Sequence, residues 1–168
     1  IYPSFIDIYT DFGIAKPKRQ TSGFGGTQYA ATREGYYWND HIRPETNPIN
    51  EFKFDSKKAK EFINAGFGVV NTHLQDGIIR GNGLLIALNP NVSNAYRIID
   101  DKSAQFLSFE KSNKSKQLYP GSRMGAMALL RQVYNDASWY AKGNMNNKDM
   151  SLEAINKNKN LVQIFETG

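Results

Sequence analysis

Cysteine is absent from the chain, and histidine is scarce. The 168 residues include two histidines, His41 and His73, and no cysteine. Without cysteine the chain can form no disulfide, no thiolate metal site and no thiol nucleophile, and its redox compartment stays undetermined. The two histidines fall on different predicted elements, so we expect no tetrahedral zinc site built from them.

Long hydrophobic runs are also missing. No apolar stretch approaches the roughly 20 residues that a membrane-spanning helix needs, and the first residues do not form a signal peptide. The sequence therefore predicts no membrane partner and leaves the localisation unknown, with export or a periplasmic location still open. The chain begins at Ile1 rather than methionine and ends without a polar tail, so we expect it to be a fragment of a longer reading frame.

Dense basic blocks are missing as well. The net charge is +5, but the 21 basic residues are scattered among 16 acidic ones. A nucleic-acid surface needs Lys and Arg clustered on one face, so no nucleic-acid partner is predicted. Aromatic residues, in contrast, are abundant: ten Phe and nine Tyr within a 40% apolar composition predict a globular protein with a packed core.

The order of predicted elements is that of a parallel α/β unit. Residues 1–9 predict a buried strand, Asp55 is a suitable N-cap for a helix over residues 56–65, and a strand begins at Phe67. The later elements are predicted from periodicity, turn residues and caps: a β-hairpin of residues 78–80 and 84–88, two short extended pieces within 95–110, a helix over 122–142, a helix over 152–158 capped by Ser151, and a strand over 161–165.

Residues 16–54 form a long insertion between the first strand and the first helix. Its prolines and glycines predict irregular structure, and a loop of this length suggests a lid, a partner-contacting segment or a flexible strip. We expect the segment to be ordered mainly by its aromatic side chains. These are Phe24, Tyr29, Tyr36, Tyr37 and Trp38.

The most specific pattern lies in residues 2–13, Tyr-Pro-Ser-Phe-Ile-Asp-Ile-Tyr-Thr-Asp-Phe-Gly. It resembles the segment that opens the barrel of amidohydrolases, where Pro-Gly-Phe-Ile-Asp is followed by an apolar residue and His-x-His. In that family the two histidines lie at the C-terminal end of the first strand and bind zinc or a related ion. Tyr9 and Asp11 occupy the matching positions here.

The replacement of both histidines changes what this position can bind. A phenol has a pKa near 10, is largely protonated at neutral pH and is a poor zinc ligand. Asp11 alone falls short of the three protein ligands of a catalytic zinc. Two interpretations stay open: Asp11 binds a hard cation such as Mg²⁺ or Ca²⁺, or Tyr9 packs over the strand ends while Asp11 accepts loop N–H groups.

Further segments resemble the imidazolonepropionase-related amidohydrolases. Residues 65–70 resemble the helix-to-strand step after the first barrel helix, residues 76–88 carry a Gly-x-x-x-Gly-x-Gly run, and residues 123–125 fit the same subgroup. Residues 161–167 resemble a stretch that reads Pro-Val-x-x-His-Ala in that subgroup. On this resemblance, Glu166 takes the place of a metal-binding histidine.

The resemblance implies an α/β fold, specifically the first half of a TIM (β/α)₈ barrel with the β-hairpin and the insertion, as one domain over residues 1–168. Tyr9, Asp11, His73 and Glu166 then form a candidate barrel-mouth site at the C-terminal ends of parallel strands. Asp11 and Glu166 would pair, and share a proton, recruit a Lys or Arg, or bind a hard cation. His73 has either a ligand role or a hydrogen-bonded structural role.

The family's activity is hydrolysis of C–N bonds in cyclic amides or peptides, with a divalent metal such as zinc that activates water. We expect this region to lack a functional metal site and catalytic residues, to hold no cofactor, and to be inactive alone. Its expected partners are the remainder of the parent chain, or a second copy bound through exposed strand edges. The alternative function is a non-catalytic binding or scaffolding module for a peptide, glycan or protein partner.

Overall fold

The structure is a computed structural model that describes residues 3–18, 27–29, 33–144 and 147–167. Seven strands are present in these residues: β1 Phe5–Thr10, β2 Phe67–Thr72, β3 Ile79–Asn82, β4 Leu84–Ala87, β5 Ile98–Asp100, β6 Ala104–Ser108 and β7 Val162–Glu166. Four α-helices accompany them: α1 Ser56–Asn64, α2 Asn94–Arg97, α3 Arg123–Ala141 and α4 Met150–Asn158. None of the helices in the described ranges is long and apolar enough to cross a membrane.

The strands form two mixed sheets. The four-stranded sheet has the order β1-β2-β4-β5, with β1 and β2 parallel and the other neighbours antiparallel. The three-stranded sheet has the order β3-β6-β7, with β6 and β7 parallel and β3 antiparallel to β6. Because each sheet contains one parallel pair, β1 ends beside β2 and β6 ends beside β7.

The fold is α/β, but the predicted half of a TIM barrel is wrong. A (β/α)₈ barrel is one closed sheet of parallel strands, each followed by a helix. Here the strands are divided between two sheets, and β2–β4, β4–β5 and β3–β6 are antiparallel pairs. The resemblance involved short segments, and such segments carry no information about which strands pair or in which direction.

The predicted β-hairpin is also wrong, although both of its strands exist. β3 and β4 are separated only by Gly83, yet they belong to different sheets. A Cβ atom at Gly83 would lie 2.5 Å from the Asn71 side-chain oxygen and 2.6 Å from the Phe106 ring. Only glycine lets the backbone pass this close to its neighbours. The turn residues that suggested a hairpin therefore serve a crossing from one sheet to the other.

Local signals predicted three of the four α-helices in the described ranges. Asp55 caps α1, as expected, and α3 begins one residue after the predicted start, with Ser122 as its N-cap. Helix α4 begins earlier than predicted, because Asp149 and not Ser151 is its N-cap. A carboxylate at this position both accepts backbone N–H groups and complements the helix dipole. Residues 95–97 are helical, in α2, where an extended piece was predicted.

The hydrophobic core is divided between the two sheets. One cluster packs the three-stranded sheet against α3 and α4, with buried side chains that include Ile78, Ile79, Leu107, Leu129, Val133, Leu152 and Ile155. The other packs the four-stranded sheet against α1, with Phe12, Phe52, Ala59, Val70, Leu84, Ile86 and Leu88. Polar side chains from strands of both sheets meet between them and form the candidate site described below.

The described part of the insertion, residues 16–54, contains neither a strand nor an α-helix. It is attached to β3 by backbone hydrogen bonds. The Arg43 N–H donates to the Ile79 carbonyl at 2.9 Å, and the Asn82 N–H donates to the Thr46 carbonyl at 2.8 Å. The insertion thus runs along the edge of the three-stranded sheet and satisfies backbone groups that would otherwise be unpaired.

Aromatic side chains also pack this segment. Trp38 stacks on Tyr119 with ring centroids 6.0 Å apart, and Tyr29 stacks on Tyr119 at 6.1 Å. Tyr37 is buried in the core cluster beneath α3 and α4. Phe24, which was expected to help order the insertion, lies outside the described residues.

Candidate functional site

Arg80 lies at the centre of the candidate site. Its side chain is 1% exposed, and Nη1 lies 2.7 Å from the Tyr9 phenol oxygen and 2.8 Å from Glu166 Oε2. Nη2 lies 3.4 Å from Glu110 Oε2, and Nε donates to the Gly77 carbonyl at 3.2 Å. A buried guanidinium is stable only when charged and polar partners replace its water. Arg80 therefore connects β3 to the ends of β1, β6 and β7.

Sequence reasoning did not single out Arg80, although the sequence carried a signal for it. Arg80 directly follows Ile78 and Ile79 in a segment that was predicted as a strand. An arginine within an apolar, buried strand needs a buried acceptor or carboxylate. That requirement would have pointed to a buried ion pair, but not to the identity of its partner.

Tyr9 is held as a neutral phenol. Burial raises its pKa to about 12, together with the contact to the Glu166 carboxylate and against the opposing effect of Arg80. Tyr9 lies near the end of β1, and its oxygen accepts a hydrogen bond from Arg80. A protonated phenol oxygen of this kind is a weak ligand for a metal ion.

His73 directly follows β2 and is fully buried. Burial and the charge of Arg80 lower its pKa to about 3, and the nearby Thr10 backbone opposes this shift only weakly, so the imidazole is neutral. Within the described residues neither ring nitrogen has a hydrogen-bond partner. The ring instead contacts Tyr9, at a centroid distance of 4.6 Å, and Phe106. The His73 backbone N–H donates to the Thr10 carbonyl at 3.1 Å, and the choice between a ligand role and a structural role for its ring stays a prediction.

The two predicted carboxylates have different positions. Glu166 is the last residue of β7, beside Ser108 of β6, and forms the ion pair with Arg80. Asp11 lies just beyond the end of β1 and pairs with Lys16 at 3.2 Å. No hydrogen bond joins Asp11 to Glu166 in the part of the chain that the structure describes. Of the four candidates, Tyr9, His73 and Glu166 are therefore brought together, and Asp11 is not part of their contacts.

The side chains of this cluster do not fit the divalent metal that the resemblance implies. The Glu166 carboxylate already contacts a guanidinium, Tyr9 is protonated, and both nitrogens of His73 are enclosed. A second cation would be repelled by Arg80. Across the described ranges, no group of three or more His, Asp or Glu side chains is arranged to hold a metal ion.

His41 belongs to a separate, buried polar network. Its Nδ1 accepts the Ser112 N–H at 3.0 Å, so the proton of the neutral ring is on Nε2, which donates to the Gln117 carbonyl at 3.1 Å. Burial lowers the pKa of His41. Nearby, Asp76 accepts the Ser112 hydroxyl and the Asn113 N–H, each at 2.6 Å. The His41 bonds hold the insertion, and the Asp76 bonds hold the segment between β2 and β3, against the loop after β6.

A second candidate site is a cleft of about 400 Å³ between the insertion and helices α3 and α4. It lies away from Arg80, Tyr9, His73 and Glu166, which we call the Arg80 cluster. Sequence reasoning singled out the aromatic residues of the insertion but not the cleft, because its walls come from three distant segments. We call it the aromatic cleft. Its lining residues are Tyr36, Tyr37, Trp38, Asp136, Trp139, Asp149 and Leu152.

The described fold is similar to part of a solved structure, an amidohydrolase from Thermotoga maritima MSB8. The TM-score is 0.61 at 18% sequence identity, over 91% of this chain. The chain spans 41% of the length of that protein. No protein family and no curated protein matches the chain in sequence. At this level of identity the similarity concerns the fold alone.

Proposed function

We propose that this chain is part of a protein related to the amidohydrolases, and that its Arg80 cluster is a structural tie and not a metal-dependent hydrolytic site. The relationship is supported by the distant similarity of fold. The role of the cluster is supported by one observation, the buried Arg80 guanidinium between the Tyr9 oxygen and the Glu166 carboxylate. In this proposal, hydrolysis of C–N bonds depends on residues outside the described chain.

The charges of the Arg80 cluster favour a structural role, in which it joins strands of the two sheets, over a catalytic role. The Glu166 carboxylate is paired with the Arg80 guanidinium, whose positive charge would repel a metal ion bound to the same oxygens. His73, the remaining candidate base, has no surface open to a substrate. The same contacts stabilise the fold, because they join strands of both sheets.

Metal binding and hydrolysis test this proposal. Calorimetric titration with Zn²⁺ and with Mn²⁺ should show no saturable binding that depends on Glu166. Hydrolysis of a dihydropyrimidine, an imidazolone and a dipeptide in the presence of either metal should remain at the rate of the buffer. Glu166→Gln is the site variant, and Glu110→Gln, which removes the other carboxylate near Arg80, is the matched control. Metal binding or turnover that is lost in Glu166→Gln and retained in Glu110→Gln would overturn the proposal.

A second candidate function is a non-catalytic binding module, and the aromatic cleft favours it. Ligand sites are typically concave, largely aromatic, and carry a few polar groups, with volumes of about 300–1,000 Å³. The cleft has these properties, and none of them involves the Arg80 cluster. Binding to the cleft and metal-dependent hydrolysis can therefore be tested separately.

A further inference from the structure

The aromatic cleft has one wall from the insertion and one from the helices. Tyr36, Tyr37 and Trp38 are consecutive residues of the insertion, whereas Trp139 comes from α3 and Asp149 is the N-cap of α4. Backbone and side-chain hydrogen bonds fix the two walls to each other. The Met150 N–H donates to the Gly35 carbonyl at 2.9 Å, and the Tyr37 N–H donates to Ser151 Oγ at 3.3 Å. The cleft is therefore a preformed feature of the fold.

Two carboxylates give the cleft a negative charge. Asp136 Oδ2 accepts the Tyr37 hydroxyl at 2.6 Å, and Asp149 Oδ1 accepts the N–H groups of Ser151 and Leu152. Within the described residues the other oxygen of each carboxylate has no hydrogen-bond partner. No Lys or Arg is among the described residues that line the cleft. Burial raises the pKa of Asp149, although the N–H groups of Leu152 and Ser151 and the more distant charge of Arg33 act in the opposite direction.

The aromatic rings supply surfaces that attract cations. The Trp139 side chain remains 51% exposed, so its indole is open to a ligand. Tyr36 already holds one guanidinium, because the Arg33 Cζ lies 4.6 Å from the centre of its ring. The quadrupole of an aromatic ring favours a cation over its face, and tryptophan provides the strongest attraction.

We propose that the aromatic cleft binds a small organic cation, a primary ammonium group on an apolar chain. Asp136 and Asp149 contact the ammonium group, and the Trp139 ring packs against the apolar chain of the ligand. This proposal names the ligand class of the second candidate function and rests on it alone. The proposed binding does not involve the Arg80 cluster, so metal binding or hydrolysis at that cluster would not contradict it.

Three ligands that share a six-carbon chain and carry a positive, a neutral or a negative group test the proposal. The probes are n-hexylammonium, n-hexanol and hexanoate, and the measurement is tryptophan fluorescence. Both tryptophans of the chain, Trp38 and Trp139, line the cleft. Hexylammonium should bind about tenfold more tightly than hexanol, and hexanoate should bind most weakly. Equal affinity for hexylammonium and hexanol, or tighter binding of hexanoate, would overturn the proposal.

Matched variants locate the binding. Asp149→Asn removes the charge but keeps an N-cap that accepts backbone N–H groups. Asp55→Asn makes the same change at the N-cap of α1, away from the cleft. Asp149→Asn should weaken hexylammonium binding about fivefold, and Asp55→Asn should leave it unchanged. Circular dichroism should show both variants folded. Equal affinities in the two variants would show that the ammonium group binds elsewhere and would sink the proposal.

Trp139→Leu is the third variant. Because the indole is half exposed, its loss should cost little stability, and the variant keeps an apolar side chain over the cleft. Hexylammonium binding, followed by the remaining Trp38, should fall about fivefold while hexanol binding changes less. An unchanged preference for the ammonium over the alcohol would remove Trp139 from the site and contradict the proposal.

Discussion

The imidazole of His73 lies flat against the phenyl ring of Phe106, with centroids 3.7 Å apart and 2° between the ring planes. His73 follows β2 in the four-stranded sheet, and Phe106 is in β6 of the three-stranded sheet. The stack therefore crosses from one sheet to the other. Because neither imidazole nitrogen has a hydrogen-bond partner among the described residues, the His73 ring contributes through stacking and apolar packing.

Replacing His73 with phenylalanine should stabilise the protein. The substitution keeps a planar ring for the stack and removes two buried nitrogens without partners, so the free energy of unfolding should rise by about 1 kcal/mol. His41→Phe is the control, because it removes two hydrogen bonds from an equally buried ring and should lower that free energy by about 2 kcal/mol. Urea unfolding at neutral pH measures both, and an equal loss in the two variants would contradict the assignment.

His73 should also make the protein sensitive to mild acid. Its pKa falls from 6.5 in the unfolded chain to about 3 in the folded protein. As the pH falls below 6.5 the unfolded state gains a proton that the folded state does not, so His73 lowers stability by up to about 1.4 kcal/mol per pH unit. The difference between the wild-type protein and His73→Phe isolates this contribution. Parallel stability curves between pH 7 and about pH 4 would show that the buried ring is protonated normally.

The two carboxylates near Arg80 should contribute unequally to stability. Glu166 is 34% exposed and lies 2.8 Å from the guanidinium, whereas Glu110 is 77% exposed and lies at 3.4 Å. Glu166→Gln should cost about 2 kcal/mol of unfolding free energy, because it leaves a buried cation with less compensation. Glu110→Gln should cost less than about 0.5 kcal/mol. Chemical denaturation compares them, and equal costs would argue against a buried ion pair.

Substitutions at Gly81 and Gly143 distinguish the cost of a left-handed backbone from the cost of a steric overlap. Both glycines have a positive φ, +88° and +78°, but a Cβ at Gly81 would overlap the Thr46 carbonyl oxygen, whereas nothing lies within 4 Å at Gly143. Gly143→Ala should cost about 1 kcal/mol for the left-handed backbone alone. Gly81→Ala should cost at least about 3 kcal/mol, because the insertion must also move from β3. Thermal unfolding measures both, and similar costs would mean that the insertion is loosely attached.

Three of the four α-helices were predictable because their signals are local, and only the single-turn α2 was missed among the described residues. An N-cap such as Asp55 acts within one turn, and amphipathic spacing identified α1 and α3 without knowledge of the rest of the chain. The strand segments were also found. Their pairing was not, because it depends on contacts between residues far apart in sequence, and Gly83 has the same appearance in a hairpin as in a crossing between sheets.

The candidate site was predictable only in part. Tyr9, His73 and Glu166 were placed at strand ends, and they meet around Arg80. Asp11 was expected to share their position, because the resemblance matches Tyr9 and Asp11 to the two histidines at the end of the first strand. β1 ends at Thr10, however, so Asp11 lies beyond the strand and pairs with Lys16 instead. Arg80 itself has no motif, and its importance depends on burial that only the assembled fold reveals.

The contacts of Arg80 have a consequence for the cooperativity of unfolding. Each sheet has its own apolar cluster, and either half alone is small for independent stability. Neither half can melt first without removing Tyr9 or Glu166 from the guanidinium and exposing the His73–Phe106 stack. The polar junction therefore makes two small cores melt as one unit, with far-ultraviolet dichroism and tryptophan fluorescence changing at the same denaturant concentration.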